Sequence, residues 1–119
     1  MRMSPEQLRA RTKAFAIRIV RFFQSLPKSE EARILGRQVL RAGTSVAANY
    51  RAAGRARSKA EFIAKIGTVV EEADETVFWL ELLVDTGIVR KEQVGELLAE
   101  ANELLAIFAA SHGTAKARS

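Results

Sequence analysis

The sequence predicts an all-α protein, a single antiparallel up-down-up-down four-helix bundle. Three observations predict it. Apolar and small residues recur with alternating steps of three and four through four long stretches, the period of a helix face rather than a strand. No alternating strand pattern competes anywhere in the 119 residues. The punctuation around Pro27, Gly54 and Gly87 leaves only short connections, which join antiparallel neighbours.

The helices are expected at approximately 5–25, 30–53, 59–86 and 90–110, with residues 112–119 as a frayed tail. The first opens on Ser4-Pro5-Glu6-Gln7, where Ser at the N-cap, Pro at the first helical position and Gln at N3 spell a capping box. Its seam runs Leu8, Thr12, Phe15, Ile19, Phe22, Leu26, and Pro27 stops it. The second starts after Ser29, with Glu30 and Glu31 at the positive end of the helix dipole. Its seam is Ala32, Leu35, Val39, Ala42, Val46, Asn49, Ala53, and Gly54 is expected to cap it in the left-handed conformation. Gly36 and Gly43 lie inside this helix, each costing about 1 kcal/mol against Ala unless it allows a close helix approach.

The third helix opens on a second capping box, Ser58 to Glu61. Its seam Phe62, Ile66, Val69, Ala73, Thr76, Leu80, Leu83 is doubled by Ile63, Val70, Val77, Val84, so it should touch neighbours on two sides. The fourth carries Val94, Leu97, Leu98, Ala101, Leu104, Leu105 and Phe108 on one face, with no strong N-cap before it.

Composition excludes more than it selects. The chain has no Cys, hence no disulfide, thiolate metal site or Cys nucleophile. No apolar run reaches membrane-span length, and the N-terminus lacks the apolar segment of a signal peptide, so the expected location is the cytoplasm without a membrane partner. The one histidine, His112, falls in the expected frayed tail, where nothing would orient it as a base. The carboxylates Glu71, Glu72, Asp74 and Glu75 have no His three residues on, so the di-iron pattern of some bundles is missing. No enzyme, metal or cofactor is expected.

Net charge is +5, but residues 1–60 carry +11 and residues 61–119 carry −6. Three readings follow: a polyanion partner, a basic hairpin packed on an acidic one, or complementarity between subunits. The nucleic-acid reading assigns phosphate contacts to Arg11, Lys13, Arg18 and Arg21 of the first helix, Arg33 and Arg37 of the second, and Arg51, Arg55, Arg57 and Lys59 around the turn. Arg33, Arg37 and Arg41 form an i, i+4, i+8 row that would serve equally as a solvated face or as partners for acids of the third helix. Trp79 reads as packing in a core or interface, and Tyr50 as packing at the bundle end ahead of base stacking. Asn49 on an apolar seam needs partners, with the Ser45 hydroxyl, the backbone of the turn at 53–58, or Glu72 and Glu75 as candidates; a seam Asn often fixes register.

Three runs then act together: Gln38-x-x-Arg41-Ala42-Gly43-Thr44-Ser45-Val46-Ala47-Ala48-Asn49-Tyr50-Arg51, then Arg55-Ala56-Arg57-Ser58-x-x-Glu61-Phe62-Ile63-x-Lys65, then Glu72-x-x-Glu75-Thr76-x-x-Trp79-Leu80. They resemble the hallmark of a bacterial family of four-helix-bundle proteins. The family was first noticed as reading frames inside intervening sequences of large-subunit ribosomal RNA genes. It is similar to the accessory variability protein of diversity-generating retroelements. The likeness covers roughly residues 15–108, most strongly 38–83. It implies an antiparallel bundle that assembles as a ring-like homopentamer without enzymatic activity. It implies a polar structural or interface cluster at Gln38, Arg41, Ser45, Asn49, Glu72, Glu75 and Trp79. By analogy with the retroelement relative alone, it implies RNA or DNA binding and a partner enzyme such as a reverse transcriptase. One position departs: the family usually has Glu where this chain has Ala52, so any ion pair of that Glu is missing here. A protein–protein assembly scaffold with no nucleic-acid role is the alternative expectation.

Overall fold

The computed structural model describes residues 3–119 as four helices: α1 (Pro5–Ser25), α2 (Glu30–Ala53), α3 (Lys59–Asp85) and α4 (Lys91–Ala117). They pack antiparallel in chain order, and the molecule measures 46 × 26 × 21 Å. α3 lies between α2 and α4, as its doubled apolar face requires. α1 leans mainly on α2 and meets α4 only lightly.

The N-caps fall where the sequence places them, though the second capping box is half formed, with no bond from the Glu61 side chain back to the Ser58 N–H. Ser4 Oγ accepts from the Gln7 N–H at 3.1 Å, and Gln7 Oε1 accepts from the Ser4 N–H at 2.8 Å. Ser29 and Ser58 cap α2 and α3 by accepting from the N–H groups of Ala32 and Glu61. α4 has half a box: Gln93 Oε1 accepts from the Arg90 N–H at 2.8 Å.

The core takes the expected seams with instructive exceptions. Phe15, Ile19, Val39, Val46, Ile66, Leu80, Leu83, Leu104 and Phe108 are fully buried. The two buried threonines satisfy themselves: Thr12 Oγ1 donates to the Leu8 carbonyl and Thr76 Oγ1 to the Glu72 carbonyl. At the end of α2 the core position belongs to Tyr50, 8% exposed, rather than Asn49. A helix turns in 3.6 residues, so a 3.5-residue seam drifts and must take two steps of four in succession. Here those steps run from Ala42 to Val46 and from Val46 to Tyr50, whose ring packs 5.0 Å from that of Phe108. Asn49 is left half-buried and donates to the Ser45 carbonyl of its own helix at 2.9 Å.

Two further expectations are corrected. Gly54 stays right-handed (φ −65°), and the turn is closed by bonds from Arg55 and Ala56 to the carbonyls of Ala52 and Ala53. The left-handed glycine is Gly87 (φ 75°), which ends α3 in a Schellman motif, with Ile88 N–H on the Leu83 carbonyl and Gly87 N–H on the Val84 carbonyl. The tail does not fray: α4 runs to Ala117 because its last turns have something to dock on. His112 lies against Gly67, where a Cβ would sit 3.2 Å from its Nε2, and Lys59 Nζ donates to the Arg118 carbonyl.

Candidate nucleic-acid interface

Two of the arginines are held by acids of the molecule itself. Arg11 is bidentate on Glu100, with Nε at 2.8 Å and Nη2 at 2.7 Å from its two carboxylate oxygens, and Nη2 also meets Glu103 at 2.9 Å. Its hydrogen bonds hold Glu100 below the ordinary carboxylate range against the opposing effect of burial, and they push Arg11 itself upward. This fork clamps the thin α1–α4 seam, so Arg11 is not available as a phosphate contact.

Arg41 is the second. Its guanidinium meets Glu75 and Glu72 across the α2–α3 seam at 2.5 and 3.2 Å, and it donates to Gln38 Oε1 at 3.2 Å. Trp79 Nε1 donates to the same Glu75 oxygen at 3.4 Å. Burial raises Glu75, but the bonds from Arg41 and Trp79 outweigh it and hold the carboxyl low. The polar cluster therefore divides. Gln38, Arg41, Glu72, Glu75 and Trp79 form one network, while Asn49 stands apart from it on the Ser45 backbone carbonyl rather than on the Ser45 hydroxyl. The Arg33/Arg37/Arg41 row divides too: Arg33 and Arg37 are exposed and make no ion pair among the described residues.

Six further cations collect where the antiparallel topology brings the start of α1, the end of α2 and the start of α3 together. Two open grooves flank the last two turns of α2. One, about 710 Å³, lies between α1 and α2 and carries Arg9, Lys13, Arg51 and Arg55 over a floor of Thr12, Thr44, Ala47, Ala48 and Gly54. The other, about 480 Å³, lies between α2 and α3 and carries Arg51, Arg55, Arg57 and Lys65, with Ala48, Ala52 and Glu61. Arg51 and Arg55 stand between the two and serve both. Among the described residues, Glu61 is the one acid in either lining, and none of these cations enters an ion pair. Ala52, where the resembling family carries Glu, faces into the second groove and leaves it without a second carboxylate.

Of the expected phosphate contacts, Lys13, Arg51, Arg55 and Arg57 line this basic pole, and Lys59 stands beside it on the α4 terminus. Arg18 and Arg21 are exposed farther along α1, Arg33 lies about 30 Å from the end of α2 at Ala53, and Arg37 one turn nearer, so these line neither groove. Arg9 and Lys65 join the pole without having been singled out in the sequence. The signal existed: Arg9 lies one turn before Lys13, and antiparallel pairing sets that turn beside Arg51 and Arg55.

Among the described residues no group of His, Asp and Glu is placed to hold a metal ion, and no helix is long and apolar enough to cross a membrane.

No curated protein matches the chain. A solved structure does: a protein of unknown function from the S23 ribosomal protein family of Bacteroides thetaiotaomicron superimposes with a TM-score of 0.86 at 32% identity, covering 93% of this chain and 99% of that one. A profile described as 23S rRNA-intervening sequence protein matches residues 7–110, which hold all four helices but the first two residues of α1 and the last turns of α4. The chain belongs to the 23S rRNA-intervening sequence protein family.

Proposed function

We propose that this protein is a non-enzymatic binding protein that takes RNA or DNA by its phosphate backbone on the pole built from α1, α2 and α3. One observation carries the reading: Arg9, Lys13, Arg51, Arg55, Arg57 and Lys65 converge from three helices on two grooves that share their central arginines. Like charges brought this close repel, and the fold does not neutralise them as it does Arg11 and Arg41. A polyanion would. About five phosphates neutralised give a slope of log K on log salt near −4.5, or a loss of about 500-fold between 50 and 200 mM salt. Titration of a labelled mixed-sequence oligonucleotide across that range tests it, and a flat response rejects it.

A second reading concerns assembly. Ile34 of α2 and Phe78 of α3 are about half exposed, as is Ile17 of α1, and the Phe78 ring packs edge-on at 5.0 Å against Trp79, which belongs to the Arg41 network. Exposed apolar side chains of this size favour self-association, in keeping with the homopentamer that the family resemblance implies. Five copies at +5 would carry about +25 and strengthen attraction to a polyanion. A partner enzyme such as a reverse transcriptase stays an analogy; a cytoplasmic location is in keeping with the absence of Cys. Light scattering with size exclusion reads the assembly directly, and a monomeric mass at all concentrations rejects it.

A further inference from the structure

We propose that the nucleic acid held at this pole is a double helix gripped along its phosphates, and not a single strand with splayed bases. The inference rests on the backbone-binding reading above and specifies its ligand.

The first argument is what the pole lacks. Sequence-tolerant single-strand binders combine cations with aromatic rings on which bases stack. Among the described residues, neither groove lining contains a ring. Tyr50, the aromatic nearest to Arg51 in sequence, is 8% exposed and turned inward onto Phe108. Phe62 is half-buried against the core. The exposed ring, Phe78, is 13 residues beyond Lys65 on α3, about 20 Å along the helix axis. A base turned toward these grooves would meet alanine and guanidinium edges instead of a stacking face.

The second argument is what the pole has. The end of α2 forms a ridge with small side chains at Ala47, Ala48 and Ala52, which lets a wide ligand approach closely. Cations flank that ridge on both sides, Arg9 and Lys13 from α1, Arg57 from the α2–α3 turn and Lys65 from α3. Cations on both sides of one ridge match a ligand with two phosphate strands bordering a groove. They are more than one strand needs. A duplex also presents twice the charge per unit length of a single strand.

The test is fluorescence polarisation of the full chain with one labelled strand, alone, annealed to DNA, and annealed as the equivalent RNA duplex, at one fixed ionic strength. Duplex is expected to bind about tenfold tighter than the single strand of the same length, since the single strand finds no stacking platform here. The two duplex arms tell DNA from RNA as its source. Equal affinity, or tighter binding of the single strand, overturns the duplex inference while leaving backbone binding intact. No binding of any form at low salt overturns both. The double variant Arg51→Gln, Arg55→Gln is expected to reduce the salt slope on duplex by about 2, with its helical circular dichroism unchanged. An unchanged slope places the ligand elsewhere and overturns the site.

Discussion

Substituting Gly43 by Ala tests how closely α1 and α2 approach, and so the geometry that sets Arg9 and Lys13 beside Arg51 and Arg55. A Cβ at Gly43 would lie 2.7 Å from Ile19 Cγ1 and 2.9 Å from both Cδ1 and Cγ2. Ordinary carbon contacts fall near 3.5–4.0 Å. Ile19 is fully buried and branched at Cβ, so Cγ1 and Cγ2 cannot swing aside without a χ1 change or a shift of α1. Overpacking of this kind costs about 1–3 kcal/mol, and Ala regains about 1 kcal/mol of helix propensity over Gly. The expected net is a loss of up to about 2 kcal/mol, or up to about 8 °C in Tm for a domain of this size. Gly36→Ala should cost less, because the nearest atom there, 2.5 Å away, is the terminal Cδ1 of Leu26, which can rotate off. Thermal melts followed by circular dichroism measure both. If Gly43→Ala stabilises the protein by the full propensity gain, the close α1–α2 approach is wrong.

Gly95 on α4 has open space where a methyl group would sit, so Gly95→Ala should raise stability by about 0.5–1 kcal/mol in the same melts. Replacing Arg11 by Met leaves the half-buried Glu100 without its fork and should cost about 1–2 kcal/mol at neutral pH, between surface and buried pairs. Because Glu100 is held low in the folded state, its contribution is present above its ordinary value of 4.5 and is lost as pH falls below it; the Met variant should show less of this acid sensitivity in denaturant titrations across that range. Ala52→Glu puts a carboxylate into the second groove and should weaken oligonucleotide binding several-fold at low salt, with the difference shrinking as salt rises.

The bundle was legible because each local signal agreed with the others. Ser4 and Ser58 stand before capping boxes, Gly54 and Gly87 follow apolar runs, and the seams hold their period. What failed was drift within a period and the chemistry of ends. The Asn49 seam position assumed a strict heptad in a helix that does not supercoil enough to keep one. The Gly54 conformation assumed that a glycine after a helix must be left-handed, whereas bonds to Ala52 and Ala53 closed the turn without it. The tail was read from its polar, small composition, and composition cannot show that Gly67 leaves a place for His112. For the site, the sign of the charge in each half is plain from the residues, but not which cations find acids. Arg11 and Arg33 look alike in the chain. One reaches Glu100 because it lies over the α1–α4 seam; the other points from the far end of α2 into solvent.

That division has an energetic consequence that separates function from stability. Lys13 lies one turn from Arg9 and shares a groove with Arg51 and Arg55. Like charges at such spacing destabilise a helix by about 0.2–0.5 kcal/mol per pair, and reversing one charge turns repulsion into attraction. Lys13→Glu should therefore stabilise the free protein by about 0.5–1 kcal/mol at low salt, a rise of a few degrees in Tm. The gain should fade toward molar salt, where screening shortens the range of these interactions to about 3 Å. The same substitution should weaken nucleic-acid binding and lower its salt slope by at least about 1. Opposite signs in the two assays are the signature of cations kept for a ligand at some cost to the fold. If Lys13→Glu destabilises the protein, or stabilises it equally at all salt concentrations, Lys13 has a local structural role and the basic pole loses one of its members.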